Sequence, residues 1–284
     1  MTSPSRNSHF THARTTNFYY SFLFLPPEKR RAIEAVYAFA RRGDDIVDGD
    51  LGPGEAAEAL AQFRQALAEC YSTRDGHLEN LEFPALCTSV QRFKLPRQAF
   101  EDLILGLEMD LSTTRYATFE DLALYCYRVA STIGLICIEI FGYQNPRTRD
   151  YAVSLGTALQ LVNIIRDIQR DAQRGRIYIP QEDLDRFQVR PGELLAGAYT
   201  DPFIELMQFQ CDRARQYFAR ARQLLPLEDR RQLIAAEIMA ATYWRILGRI
   251  QKHRYNVFGE RVRLSRPLKL WTALSVYLGR EWLS

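Results

Sequence analysis

An all-α chain is predicted by three features of the sequence. Apolar residues recur three and four apart through almost its whole length, as a buried helix face requires. Alternating apolar and polar residues, the mark of a half-buried strand, are almost absent. Proline and glycine cut the periodic stretches into helix-sized lengths.

Residues 18–25 read as a short helix ended by Pro26 and Pro27. Pro27 can open the next helix, 28–48, because the first helical N–H has no intrahelical partner to lose. Its apolar stripe is Ile33, Val36, Tyr37 and Ala40, and the glycine-rich stretch 49–54 ends it. Helices follow at 55–71, 78–93 and 97–112, with a turn at 72–76 and Pro96 between the last two. A long apolar helix, 119–141, stops at Gly142 and Pro146, and another, 147–174, stops at Gly175. An irregular stretch, 179–197, carries Pro180 and Pro191, and helices 201–224, 228–252 and 267–283 complete the set. No internal repeat or low-complexity linker divides the chain. One domain over 1–284, with a flexible 1–14, is expected.

Composition narrows the function. Of 284 residues, 47% are apolar and 25% charged, a globular balance that excludes disorder and collagen-like repeats. No run approaches 18 apolar residues, so no spanning helix is expected. The 1–14 segment lacks an apolar stretch and is not a secretory signal, so a cytoplasmic location is expected. Cys70, Cys87, Cys126, Cys137 and Cys211 form no C-x-x-C pair and read as buried free thiols. The scattered histidines give no zinc site. A net charge of +3 does not argue for nucleic acid. Only Lys29, Lys94, Lys252 and Lys269 are lysine; the other 33 bases are arginine, whose planar fork suits phosphate.

Two aspartate pairs carry the chemical signal. Asp44 and Asp48 stand four apart on one helix face, with Asp45 pointing elsewhere. Asp167 and Asp171 repeat that spacing, and Gln160 and Asn163 extend the polar stripe within an otherwise apolar helix. Such a stripe suits an internal cavity. Carboxylate pairs on two helices facing each other would repel unless cations lay between them, and Mg²⁺ commonly bridges carboxylates to substrate phosphates. Arg41 and Arg166 lie beside the pairs, as a bound diphosphate requires. Neither a Walker loop nor G-x-G-x-x-G is present, so the diphosphate belongs to the substrate as its leaving group.

These residues resemble the squalene/phytoene synthase family of head-to-head prenyl transferases. The resemblance rests on Asn-Phe-Tyr-Tyr-Ser-Phe-Leu-Phe-Leu-Pro at 17–26 and Ala-Val-Tyr-Ala-Phe-Ala-Arg-Arg-Gly-Asp-Asp-Ile-Val-Asp at 35–48. It continues in Tyr-Cys-Tyr-Arg-Val-Ala-Ser-Thr-Ile-Gly at 125–134, Leu-Val-Asn-Ile-Ile-Arg-Asp-Ile-Gln-Arg-Asp at 161–171 and Gly-Arg-Ile-Tyr at 175–178. It implies an isoprenoid-synthase helical fold with a central tunnel, and Mg²⁺ held by Asp44, Asp48, Asn163, Asp167 and Asp171. Diphosphate contacts implied are Arg41, Gln160, Asn163, Arg166 and Arg261. Aromatic tunnel residues implied are Phe18, Phe22, Tyr37, Tyr125, Tyr178 and Tyr243, and Val129, Ala130, Ile133 and Gly134 match a tunnel wall. By spacing alone, Phe18 and Phe22 fit a packed core equally well, Tyr37 and Tyr243 fit one better than a tunnel, and Gly134 fits close helix packing. Gly43 stands where many relatives carry Val, Ile or Ala.

The resemblance further implies condensation of two prenyl diphosphates in one tunnel. Departing diphosphate would be stabilised by Mg²⁺, Arg41, Arg166 and Arg261, and Tyr37 or Tyr243 would assist the released diphosphate as base. The 17–30 stretch looks most like the hopanoid-pathway presqualene diphosphate synthases, with phytoene or dehydrosqualene synthase the runner-up and an NADPH-dependent squalene synthase or a non-catalytic assembly homologue further off. Prenyl diphosphates and downstream squalene-pathway enzymes are the implied partners. Finally, Leu268, Leu270, Trp271, Leu274, Val276, Tyr277, Leu278 and Trp282, with Arg263, Arg266, Lys269 and Arg280 around them, give the C-terminal helix the composition of a membrane-interface helix, while ordinary docking of this helix on the core is the more common outcome of such a pattern.

Overall fold

Helices make nearly all the regular structure of the computed structural model, which describes residues 20–49, 51–73 and 78–282. Among these no strand forms, and the β-bridge between Arg115 and Ile177 is isolated. α1 (Pro27–Asp48) and α2 (Pro53–Ser72) both begin at a proline, as expected from its preset φ. A short 3₁₀ turn, Leu78–Asn80, leads to α3 (Pro84–Phe93) and α4 (Arg97–Ser112). The expected single helix over 78–93 is therefore corrected. Pro84 opens a new helix because a proline inside one would clash with the preceding turn.

α5 (Phe119–Cys126) starts at a reciprocal cap, in which the Thr118 hydroxyl accepts from the Asp121 N–H and the Asp121 carboxylate accepts from the Thr118 N–H. It runs through a π-helical turn, Tyr127–Ser131, into α6 (Thr132–Phe141). The turn is centrally packed. A Cβ on Gly106 of α4 would meet Val129 at 2.8 Å, and one on Gly156 of the next helix would meet Ser131 Cα at 2.5 Å. Together these segments form a helix that is long and apolar enough to cross a membrane by length and composition, contrary to expectation. Here it packs among neighbouring helices in the core instead.

α7 (Thr148–Gln173) lies against that helix and against α10 (Asp201–Leu224). Between them come α8 (Gln181–Arg186) and α9 (Pro191–Leu195). α11 is Ile234–Lys252, shorter than expected, because residues 228–233 form turns. In those turns buried Asp229 accepts from the N–H groups of Gln144 and Asn145 and from the Thr148 hydroxyl, satisfying groups ahead of α7. α12 (Arg266–Tyr277) ends well before the expected residue 283. The predicted 18–25 helix is reduced, within the described residues, to Tyr20 and Ser21 followed by turns.

Phe39 of α1 stacks on Phe63 of α2 at 4.2 Å and meets Phe83 and Phe100 edge-on, fixing one end of the core. Cys70 and Cys87 are joined by a disulfide, correcting the free-thiol reading for those two. The α2–α3 hairpin brings their Cα atoms to 4.4 Å, although 17 positions separate them. Cys126, Cys137 and Cys211 are free.

Candidate active site

Both aspartate pairs open into one cavity of about 570 Å³ bounded by α1, α4, α5, α7, α11 and α12. α1 contributes Tyr37, Arg41, Asp44 and Asp48, spaced by three and four so that one helical face carries all of them. α7 contributes Gln160, Asn163, Arg166, Asp167 and Asp171 in the same way. Asp45 turns outward and pairs with Arg41 at 2.8 Å.

The two members of each pair differ in their surroundings. Asp48 accepts from Arg174 at 2.7 Å and Arg176 at 3.1 Å. Asp167 is gripped by Arg166 and Arg261. Burial opposes its charge, but the hydrogen bonds from these arginines hold its carboxyl below the usual range. Asp44 and Asp171 have no side-chain hydrogen bond or ion pair among the described residues. Burial, reinforced by the charge of Asp48, pushes Asp44 up to about 7. Burial and the neighbouring Asp167 push Asp171 up to about 7.

Sequence reasoning missed a second polar centre. Asp110, at the end of α4, accepts from Tyr178 at 2.8 Å and from Tyr125 at 3.1 Å. Arg176 donates to the Asp110 carbonyl and to Asp48, linking the two centres. Burial raises Asp110 despite the two phenols and Arg176. A lone carboxylate gives no spacing signal, and its partners lie 15 and 68 positions away. Arg170, Arg174, Arg176, Arg263 and Lys269 also line the cavity without having been singled out as site residues; Arg176 lies inside the Gly-Arg-Ile-Tyr motif.

Other expected site residues fall as follows. Tyr125, Tyr178, Tyr243 and Arg261 line the cavity. Phe22, Val129, Ala130, Ile133 and Gly134 are not among its lining residues. Phe22 is buried in the core, and a Cβ on Gly134 would meet the Ala152 carbonyl at 2.9 Å, so this glycine permits close helix packing. Phe18 lies outside the described residues.

The squalene/phytoene synthase family model matches residues 11–267. This chain belongs to that family. Among its relatives, a 15-cis-phytoene synthase of Synechocystis is 37% identical over 278 residues, covering 94% of this chain and 80% of that protein. A phytoene synthase of Mycobacterium tuberculosis is 38% identical over 258 residues, covering 90% and 84%. The fold superposes on a ligand-bound dehydrosqualene synthase with a TM-score of 0.78 at 26% identity, covering 94% of this chain and 95% of that one. It superposes on a squalene synthase from Alicyclobacillus acidocaldarius with a TM-score of 0.74 at 29% identity, covering 87% and 95%. This squalene/phytoene synthase is thus a prenyltransferase with an all-helical fold.

Its cavity can be tested for a divalent metal on its own donors. Asn163 Oδ1 is buried with no hydrogen-bond partner, while its amide nitrogen donates to Gln160. An orphaned oxygen in the same cavity as two carboxylates raised chiefly by burial, and then each by its neighbouring aspartate, is a donor set of the chemistry that suits a hard cation. Asp44, Asp171 and Asn163 are the uncommitted donors, though among the described residues no three acidic side chains are gathered into one cluster. Asp48 and Asp167 would first have to release an arginine.

Proposed function

We propose that this protein joins two C20 prenyl diphosphates head to head, giving a cyclopropyl diphosphate and then phytoene. In this reading the whole chain, 1–284, serves as one catalytic domain. The observation that carries the chemistry is the convergence of both aspartate pairs, Arg41, Arg166 and Arg261 on one cavity. The phytoene synthases among the relatives support the C20 choice over the presqualene product suggested by the 17–30 stretch. The likeness to dehydrosqualene and squalene synthases supports a second reading, in which two C15 chains are joined.

Mg²⁺ held by Asp44, Asp171 and Asn163 would neutralise charge on the departing diphosphate. Arg166, Arg174, Arg176 and Arg261 bind the same oxygens and are already oriented by Asp48 and Asp167, so little reorganisation accompanies bond breaking. The C1–oxygen bond of one substrate breaks, leaving an allylic cation. The C2=C3 bond of the other attacks that carbon and loss of one proton closes the cyclopropane; departure of the second diphosphate, rearrangement of the resulting cation and loss of a second proton then give phytoene without a reductant. Released diphosphate takes the first proton, with Tyr37 and Tyr243 beside it to orient the exchange. Aromatic faces near the cation each stabilise it by about 0.5–2 kcal/mol.

Incubation with C15 and C20 diphosphates and Mg²⁺, with and without NADPH, decides between the readings. Phytoene from the C20 substrate without reductant is expected. Products from C15 alone would select the second reading, and no condensation from either would overturn both.

A further inference from the structure

α12 is built inside out. Its inward face is Lys269, Thr272, Ala273, Ser275 and Val276, with Ala273 and Val276 packed near Ile238 and Ala241 of α11. Leu270, Trp271, Leu274, Tyr277 and Leu278 face outward and are 40–70% exposed. The expected places of Leu268, Lys269, Val276 and Trp282 on the outer surface are thereby corrected: Lys269 lines the active-site cavity, Val276 is core, and Leu268 and Trp282 pack against the core. The helix is pinned in this orientation. Phe24 stacks on Tyr277 at 4.3 Å, the Trp282 indole donates to buried Glu237, and Arg222 holds Glu281 at 2.6 Å. A helix fixed with its apolar side outward gains nothing from water on that side.

Charge says what covers it. Residues 261–280 hold no acid, although the chain as a whole is nearly balanced; of their five bases Arg261 and Lys269 turn into the cavity, Arg263 stands at its rim, and Arg266 and Arg280 lie outside it. Arg263, Arg266 and Arg280 are exposed, with the Arg280 guanidinium 5.5 Å from the Trp271 ring. A second copy docked face to face would bring these arginines together without a counter-charge. Residues 1–19 hold two arginines and no acid, so they do not complement the patch either.

We propose that the outer face of α12 docks on an anionic lipid bilayer, setting the reaction cavity directly behind the membrane-facing helix. This rests on the proposed reaction only for its purpose, the transfer of a hydrocarbon product out of water. The apolar residues enter the headgroup–acyl boundary while the arginines meet lipid phosphates. One helix then carries Lys269 toward the substrate and Trp271 toward the lipid.

Flotation with phosphatidylcholine vesicles, with and without phosphatidylglycerol, tests this in the absence of substrate, so its result is independent of which product forms. Roughly tenfold or greater preference for the anionic vesicles, reversed by salt, is expected. Brominated lipid should quench the wild-type fluorescence, and Trp271→Phe should remove most of that quenching. Trp271→Ser/Leu274→Ser should abolish retention without lowering Tm, and Arg266→Gln/Arg280→Gln, both outside the cavity lining, should weaken the anionic preference while leaving the apolar retention. No retention on anionic vesicles at low salt would overturn the proposal. So would a concentration-dependent dimer that the Trp271→Ser/Leu274→Ser variant dissolves.

Discussion

Arg261 holds Asp167 through two parallel contacts, 2.6 Å from Nε to Oδ1 and 2.5 Å from Nη2 to Oδ2. Arg166 grips the same carboxylate at 2.9 and 2.6 Å. The second aspartate pair is therefore divided: Asp167 organises two guanidinium groups at the cavity wall, while Asp171 is left open. A forked pair of this kind fixes direction as well as charge.

Arg261→Lys keeps the charge and loses the fork. A hydrogen bond to a charged group contributes about 1.5–3 kcal/mol, so kcat/KM should fall roughly 10- to 150-fold. Arg261 is partly exposed, and Tm should hardly move. Steady-state kinetics together with a thermal melt check both halves, and wild-type kcat/KM in this variant would remove Arg261 from the site.

Asp44 and Asp171 give the metal-free protein a pH signature. Both are raised in the folded chain, to about 7, well above the ordinary range of an aspartate carboxyl. Between that range and the raised value the folded protein holds protons that the unfolded chain has released, so stability falls as pH rises toward 7 and stays reduced above it. A divalent cation offsets that penalty. Mg²⁺ should therefore raise Tm more near pH 8 than near pH 5.5. EDTA should abolish turnover. Asp44→Asn and Asp171→Asn should each lose most activity and most of the Mg²⁺ response, while melting higher than wild type in EDTA near pH 8. An equal Mg²⁺ effect at both pH values would show that these carboxylates do not meet the cation.

Asp110 is expected to act through the phenols it orients. Asp110→Asn replaces one acceptor oxygen with a donor that faces a phenolic O–H, so Tyr125 and Tyr178 cannot both keep their bonds. We expect kcat to fall at least tenfold and Tyr125→Phe to add little to it, because the two changes break one unit. A double-mutant cycle in kcat measures this. Additive losses would mean that Asp110 and Tyr125 act separately.

Much of this was legible in advance, and the gaps have physical causes. Arg97–Ser112 and Asp201–Leu224 were readable to the residue because amphipathic periodicity and flanking prolines or caps agree there. The aspartate pairs were readable because a helix turns four-residue spacing into one face. The π turn at Tyr127–Ser131 was not, since its cause is tertiary: it packs beside glycines of two other helices. The inward turn of Lys269 was equally hidden, because composition reports that a helix has an apolar side but not which side meets the core. Asp110 needed the Arg115–Ile177 bridge, which brings the strand-like segment bearing Arg176 and Tyr178 alongside the end of α4.

Two helical glycines should respond to alanine with opposite signs. A Cβ on Gly156 would lie 2.5 Å from Ser131 Cα and 2.8 Å from its nitrogen, both backbone atoms that cannot step aside. The π turn must then shift away from α7, where Ser131 Oγ bonds the Val153 carbonyl at 2.8 Å and approaches the Thr157 hydroxyl at 3.2 Å. Overpacking of this kind costs about 1–3 kcal/mol, so Gly156→Ala should lower Tm by several degrees. Gly248 lies in α11 with nothing within 4 Å of its added Cβ. There alanine only restricts the unfolded chain and improves helix propensity, and Gly248→Ala should stabilise by up to about 1 kcal/mol. Thermal and denaturant melts of the two variants provide the comparison. A Gly156→Ala protein as stable as wild type would mean that the π turn is loosely held and that its contact with α7 does not fix the centre of the bundle.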